Sequence, residues 1–510
     1  LFRSGNMEIV GLSDSQKAHI ISSILYGDSS KSLLITHSES QARQIYEDLR
    51  LFLGDRAAYL PTKEISYYNI AARSKDTDAI RLRVLNRLIG EDGVIVVASI
   101  EAILFYTTPP ELYREYVFTL AVGDTVSLEE LIEKLLFMGY ERVEEVEGAG
   151  QFSQRGGILD IFLLTHEAPY RLEFFDIEVD SIREFDPISQ LSTEQVDRIT
   201  ISPCSEIIVL PHILDEVVSG IGKDLEAHIE KGKSLSSRAR DNIEEKIRGT
   251  IEKLQNNVLS GTLDTFYSYI YPEPATILDY IDGAIFFDEP FRIRDSYNTW
   301  LFEFRERFKD NLEGGEVLPR QSELFIEYDH FLDEAEKFKK VVLRGLPRID
   351  EGFKPDVAYN ISTRSLPSYQ GKIDMLSEDI KFWKEKDYSV IIFTGASSRG
   401  DSIRSALSEW DIELLIRDEA VGHILPGQVI GIPGSISKGF EYVDGKFVVV
   451  SDREIHGFSK GRTSTRKKRR KIDPFIDLKV GDYVVHENHG IGRYLGIEKL
   501  TIDGKKRDYL

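Results

Sequence analysis

Two stretches of this chain hold residue types that could do nucleotide chemistry. After the apolar pair Ile9-Val10 the sequence reads Gly11-Leu12-Ser13-Asp14-Ser15-Gln16-Lys17-Ala18. A phosphate-binding loop needs glycines so that backbone N–H groups can close around phosphate. It also needs a lysine for the outer phosphates and a Ser or Thr hydroxyl for Mg²⁺. Gly11 and Lys17 stand at that spacing. Gln16 replaces the second glycine, Ala18 replaces the hydroxyl, and Asp14 adds a negative charge inside the nest. Glutamine does not readily take the backbone geometry open to glycine, and alanine offers a metal nothing. Phosphate and metal binding thus fail separately, which predicts a degenerate loop whose Ser13 or Asp14 caps the next helix. Asp288-Glu289 ends an apolar run as a Mg²⁺-holding acid pair would. With no hydroxyl at position 18 it reads as a relic or a helix cap. No Gln-x-x-Gly-Arg segment supplies a helicase-type arginine. The expectation is no catalytic residue, no cofactor and no ATP hydrolysis in this chain.

Other candidates are binding residues. Arg155 and Arg171 fall on what read as adjacent strand-like segments, with Phe175 four residues after Arg171. Residues i and i+4 share a strand face, so Arg171 and Phe175 can present a guanidinium and a ring together, types enriched at binding hot spots. The same residues are equally compatible with internal ion pairs to Asp160 or Glu173 and a core Phe175. His486-Glu487-Asn488-His489 has its histidines three apart with no third ligand nearby, so no metal is expected. Lys460, Arg462 and Arg466 to Lys471 form a basic run in an acidic chain. Such runs are usually solvated linkers; a weak contact with duplex DNA would show as steep salt dependence.

These residues are set in 510 residues, enough for about three or four domains. The net charge of −22 and a pI near 5.0 argue against the whole chain being a DNA clamp. The single cysteine, Cys204, fits a reducing, cytoplasmic setting. No apolar run approaches the roughly 18 residues needed to span a bilayer, so no membrane partner is expected. The chain has no initiator Met and stops in a strand-like run, so both ends read as cut.

Alternating strand and helix signals predict an α/β multidomain fold. Residues 1–115 form the first half of a degenerate P-loop α/β domain, and 116–203 a strand-rich α+β insertion. The α/β domain resumes over 204–316, and a second α/β domain spans 322–452, with a helix starting near a capping Asp401. Residues 453–475 read as a basic linker. Residues 476–510 read as the start of a small β-barrel, since closely spaced glycines suit its bends.

The degenerate loop heading a helicase-like unit resembles the excision-repair protein UvrB with its motor disabled. Gln154–Phe162 and Pro169–Asp176 are similar to the UvrB domain that binds UvrA. Leu478–Tyr494 looks like the Tudor- or CarD-like polymerase-interacting module of the transcription-repair coupling factor family, which joins both parts. The resemblance implies partners: UvrA, met by Arg155, Arg171 and Phe175, and the RNA polymerase β subunit, met by Leu500. It implies an adaptor bringing UvrA to polymerase stalled at lesions, with the ATP- and Mg²⁺-dependent translocase domains lying elsewhere in the full-length protein. The alternative is an active UvrB-like damage-recognition helicase, which Gln16 and Ala18 oppose. Departures are Leu163, where the family often has Pro, and Tyr67–Arg81, too short for UvrB's DNA-clamping hairpin.

Overall fold

The computed structural model describes residues 5–63, 75–231, 236–256, 263–348, 353–417 and 424–457, and beyond them the strands 483–486, 490–493, 498–502 and 505–509. It forms two compact units, Leu1–Gly457 and Phe458–Leu510.

The apolar runs at the start of the chain become a parallel seven-stranded sheet. Its order is Val357–Asn360, Met7–Val10, Lys339–Arg344, Ala284–Asp288, Ser32–Thr36, Ile95–Ser99 and Ala57–Leu60. Such a sheet is buried on both faces, and alternate residues go to different cores. Leu33, Ile35, Val96, Ala98 and Phe287 face one core. Leu34, Ile95, Val97 and Phe286 face the other, against Ile21 and Ile45 of the helices Asp14–Ile24 and Glu39–Leu53.

This topology corrects one boundary. The sequence reading puts 322–452 in the second domain, but Lys339–Arg344 and Val357–Asn360 both join the first sheet. Chain order alone does not say which sheet a strand completes. The second sheet begins at Thr363–Ser365 and runs Thr363–Ser365, Phe440–Tyr442, Phe447–Val450, Ser389–Phe393, Val429–Ile432, Leu415–Ile416. Its helix starts at Ser397, after Gly395 turns the chain at φ +72°, so Asp401 is not the cap. Asp401 lies inside that helix, paired with Arg404 at 2.5 Å. The linker also starts later than residue 453. Ser451-x-x-Glu454 makes a capping box, Glu454 Oε2 accepting from the Ser451 N–H at 2.9 Å, and Asp452–His456 is helical.

The insertion is a six-stranded sheet ordered Ser192–Val196, Glu178–Phe185, Tyr170–Phe175, Ile158–Ile161, Gln151–Arg155, Glu141–Arg142. Leu131 and Leu135 of the helix Leu128–Phe137 share its core with Phe152, Leu159 and Leu172. In the second unit two antiparallel hairpins are described, Tyr483–His486 with Gly490–Arg493 and Glu498–Ile502 with Lys505–Tyr509. The basic run 460–471 and residues 67–74 of the short hairpin segment lie outside the described residues; Lys75 begins the helix Lys75–Gly90. Among the described residues no helix is long and apolar enough to cross a membrane, and no His/Cys/Asp/Glu cluster could hold a metal.

Candidate functional site

At the carboxyl edge of the first sheet, Val10 and Asp288 end strands on either side of Lys339–Arg344. Gly11 takes φ +94°, and a Cβ there would lie 2.2 Å from the Ile361 carbonyl oxygen. This glycine therefore serves a close backbone approach. Ser13 is the N-cap of the next helix, and its N–H donates to Gln16 Oε1 at 2.8 Å. Gln16 thus does more than spoil a phosphate nest: it completes a capping box. Ala18, fully buried, packs in the core under the sheet.

Lys17 is the informative residue. Its amine donates to Asp288 Oδ1 at 2.5 Å and Glu289 Oε1 at 3.1 Å, and lies 3.8 Å from Asp14. Burial pulls the amine's pKa down, but Asp288, Glu289 and Asp14 outweigh it and hold it above the usual lysine range. For Asp288, fully buried, burial is the stronger influence and pushes the carboxyl up against the pull of Lys17. Glu289 occupies the N-cap of the helix Pro290–Glu313 at φ +56°, but its side chain does not cap that helix. It accepts instead from the Gly345 N–H at 2.6 Å. The lysine and acid pair suited to nucleotide and metal are spent on each other.

The second sheet closes over the helix Asp14–Ile24 that carries Lys17. Asp48 accepts from the Ser437 N–H at 2.7 Å, from the Ser437 hydroxyl at 2.5 Å and from the Ser15 hydroxyl at 3.1 Å. Burial pushes its carboxyl up, with the Ser437 and Ser15 hydrogen bonds opposing. His19 lies beside Phe52, Phe440, Tyr442 and Phe447, and burial lowers its pKa to about 4, so it is neutral.

On the insertion, the chain forms two strands here, Gln151–Arg155 and Ile158–Ile161, turned at Gly156-Gly157. Arg155 and Arg171 are therefore not on adjacent strands. Ile158–Ile161 lies between them and puts Asp160 opposite both Ser153 and Arg171. Asp160, 1% exposed, accepts from Arg155 Nη2 at 2.8 Å and from a fork of Arg171, Nε at 2.7 Å and Nη2 at 2.9 Å. Arg171 is mostly covered and Arg155 is half exposed. Phe175, 77% exposed, is no core residue. It follows Arg171 and Glu173 on the outward face, while Leu172 points into the core. The face thus joins a buried carboxylate bracketed by two arginines to an uncovered ring. Leu500 lies mid-strand opposite Arg507.

Sequence reasoning missed Glu206. At the end of the insertion it accepts from Arg81 Nε and, at 3.2 Å, from Arg81 Nη2, with Lys63 at 3.6 Å. All three are buried. Its partners come from distant chain positions, and no local pattern marks it.

Comparison with known proteins bears on both regions. Residues 118–206 match the UvrB interaction domain, and residues 478–510 match the CarD-like/TRCF RID domain. Among curated proteins, the transcription-repair-coupling factor of Bacillus subtilis is 32% identical over 98% of this chain and 43% of its own length. Those of Staphylococcus haemolyticus and Staphylococcus epidermidis are each 30% identical over 100% of this chain and 44% of theirs. The chain spans less than half the length of these relatives, and over that span it is similar throughout to transcription-repair-coupling factors.

Proposed function

We propose that this chain is the adaptor portion of a transcription-repair coupling factor, recruiting UvrA to RNA polymerase stalled at a DNA lesion. The observation that carries this reading is the outward face of the insertion, where Phe175 stands uncovered on the strand that also carries Arg171, within the stretch matching a UvrB interaction domain. An exposed aromatic ring on a face that also holds arginines has the composition of a docking surface. Leu500 is assigned to the β subunit of the polymerase, on the hairpin of Glu498–Ile502 with Lys505–Tyr509; an added strand would give main-chain affinity there. Duplex DNA is a weaker partner, through the basic run or through the translocase domains of the full-length protein. The single Cys204 suits a cytoplasmic location.

The test is capture of purified UvrA by the 510-residue chain. Phe175→Ala is expected to weaken binding roughly tenfold or more without moving the melting temperature, because the ring is exposed. Wild-type affinity in this variant removes the assignment.

The first α/β domain is proposed to hydrolyse no ATP. With Mg²⁺ and DNA, turnover is expected at background. Gln16→Gly with Ala18→Thr is expected to stay inactive as well, since Lys17 remains tied to Asp288 and Glu289. Saturable ATP turnover by the unmodified chain contradicts the proposal.

A further inference from the structure

The outward face of the insertion has a second apolar feature, at the other end of the sheet from Phe175. Between Glu178–Phe185 and Ser192–Val196 the chain makes a short loop that carries Ile188, 75% exposed, and Leu191, 69% exposed. Both are large aliphatic side chains that this short loop leaves in water, close enough in sequence to meet one partner together.

This loop is held in one shape. Asp186 Oδ1 accepts from the Ile188 N–H at 3.1 Å, the Ser189 N–H at 2.8 Å and the Ser189 hydroxyl at 3.0 Å. Across the loop, the Asp186 N–H donates to the Leu191 carbonyl at 3.0 Å, and the Gln190 N–H donates to the Asp186 carbonyl at 2.8 Å. Gln190 sits at φ +58°, and its amide nitrogen donates to the Val146 and Pro187 carbonyls at 3.1 and 2.9 Å. A loop tied this way has already lost the entropy that docking would cost it.

One further bond joins the loop to the candidate face. Arg171 Nη1 donates to the Gln190 carbonyl at 3.3 Å, while the same guanidinium forks onto Asp160 and lies 4.8 Å from the Phe185 ring centroid. Arg171 is mostly covered by these partners and has little surface left to offer. Its donors are aimed at its own domain. The more exposed arginine, Arg155, is the one free to reach outward.

We infer that Ile188 and Leu191 form a second apolar contact for UvrA, and that Arg171 is a positioning residue that holds their loop over the face. This rests on the reading of the face as a UvrA-docking surface. The occupant follows from continuity: the guanidinium that fixes the loop lies on the strand that displays Phe175 four residues on, so a partner spread across that strand covers both ends.

The experiment measures UvrA affinity of the full chain carrying Ile188→Ser with Leu191→Ser, Phe175→Ala, Arg171→Lys, and the loop pair combined with Arg171→Lys. Lysine keeps a charge for Asp160 but cannot fork, so the domain stays folded while the bond to Gln190 is lost. The loop pair is expected to lose at least tenfold in affinity with an unchanged melting temperature. Arg171→Lys is expected to lose affinity alone and to add little to the loop pair, because it acts through the loop. A merely structural arginine would add its full effect. Full additivity therefore overturns the positioning role. Wild-type affinity of the loop pair alongside a crippled Phe175→Ala overturns the second contact and leaves the docking face standing. Wild-type affinity in both variants removes the face itself, and the inference with it.

Discussion

Glu206→Gln is expected to destabilise the chain by about 3–5 kcal/mol, as removing one partner from a buried ion pair does. The charge lost is small beside the charges left. Arg81 and Lys63 are 4% and 7% exposed, and both are turned toward this carboxylate. Lys63 keeps Asp264 at 3.1 Å. Among the described residues Arg81 keeps the carbonyls of Pro61 and Ala102, at 2.7 and 3.1 Å, and no other carboxylate, so its charge is the uncompensated one. The same network sets a pH dependence. Burial pushes the Glu206 carboxyl up, but Arg81 and then Lys63 outweigh it and bring its pKa from 4.5 to about 2. A carboxyl depressed in the folded state stabilises above its ordinary pKa, and that stability, on the order of 3 kcal/mol, is withdrawn as pH falls from the ordinary value toward the folded one. Urea denaturation of wild type and variant at pH 7 and pH 3 reads both effects. The gap between them is expected at pH 7 and roughly halved at pH 3, which is still about a unit above the folded pKa. Equal midpoints at pH 7, or a gap that acid leaves intact, would show that Glu206 does not hold this junction.

Glu206 also shows where a sequence stops being informative. It is a lone acid after Pro203-Cys204-Ser205, and its partners sit at positions 63, 81 and 264. Only the return of the chain from the insertion brings them together. Local features were better marked. The apolar runs 32–36 and 94–98 became adjacent parallel strands because a sheet buried on both faces needs such runs. The mismatch at Gln16 and Ala18 was visible from residue type alone. What Gln16 does instead was also written locally, as Ser13-x-x-Gln16, the pattern of a capping box. The insertion was half legible. Strand alternation put Arg171 and Phe175 on one face, and Asp160 could be named as a partner for the arginines. The intervening strand that places Asp160 between them could not, because which strands pair after the turn at Gly156-Gly157 is not written in the residues of the turn. Assigning strands 339–344 and 357–360 to the wrong sheet has the same origin, since pairing across some 330 residues leaves no trace in either segment alone.

Lys17→Ala is expected to be as damaging as the loss of Glu206, about 3–5 kcal/mol, and its deficit also narrows in acid, here because the variant regains stability rather than because wild type loses it. Without the amine, Asp288 is left fully buried near Glu289 and Asp14, with no cation in contact among the described residues. Burial already pushes the Asp288 carboxyl up while Lys17 is present. Removing Lys17 takes away its largest opposing influence, so Asp288 binds a proton more tightly in the folded chain than in the unfolded one. Such a group costs stability above its folded pKa, and the cost shrinks as pH falls. The deficit of Lys17→Ala is therefore expected to narrow on mild acidification, whereas wild-type stability falls as Glu206 protonates. A compensating change separates this from simple loss of packing. Lys17→Met with Asp288→Leu removes both charges and keeps apolar volume, and replacing a whole buried pair this way is often neutral or stabilising. The double variant is expected to recover most of the stability lost in Lys17→Ala, within about 1 kcal/mol of wild type, a coupling that two independent sites would not show. If the double variant is as unstable as the single one, or if acid deepens the single variant's deficit, the buried pair is not what Lys17 maintains. If both hold, the lysine at the nucleotide position has become a structural counter-ion, and restoring Gln16 and Ala18 to a phosphate-binding sequence would still leave it committed to Asp288.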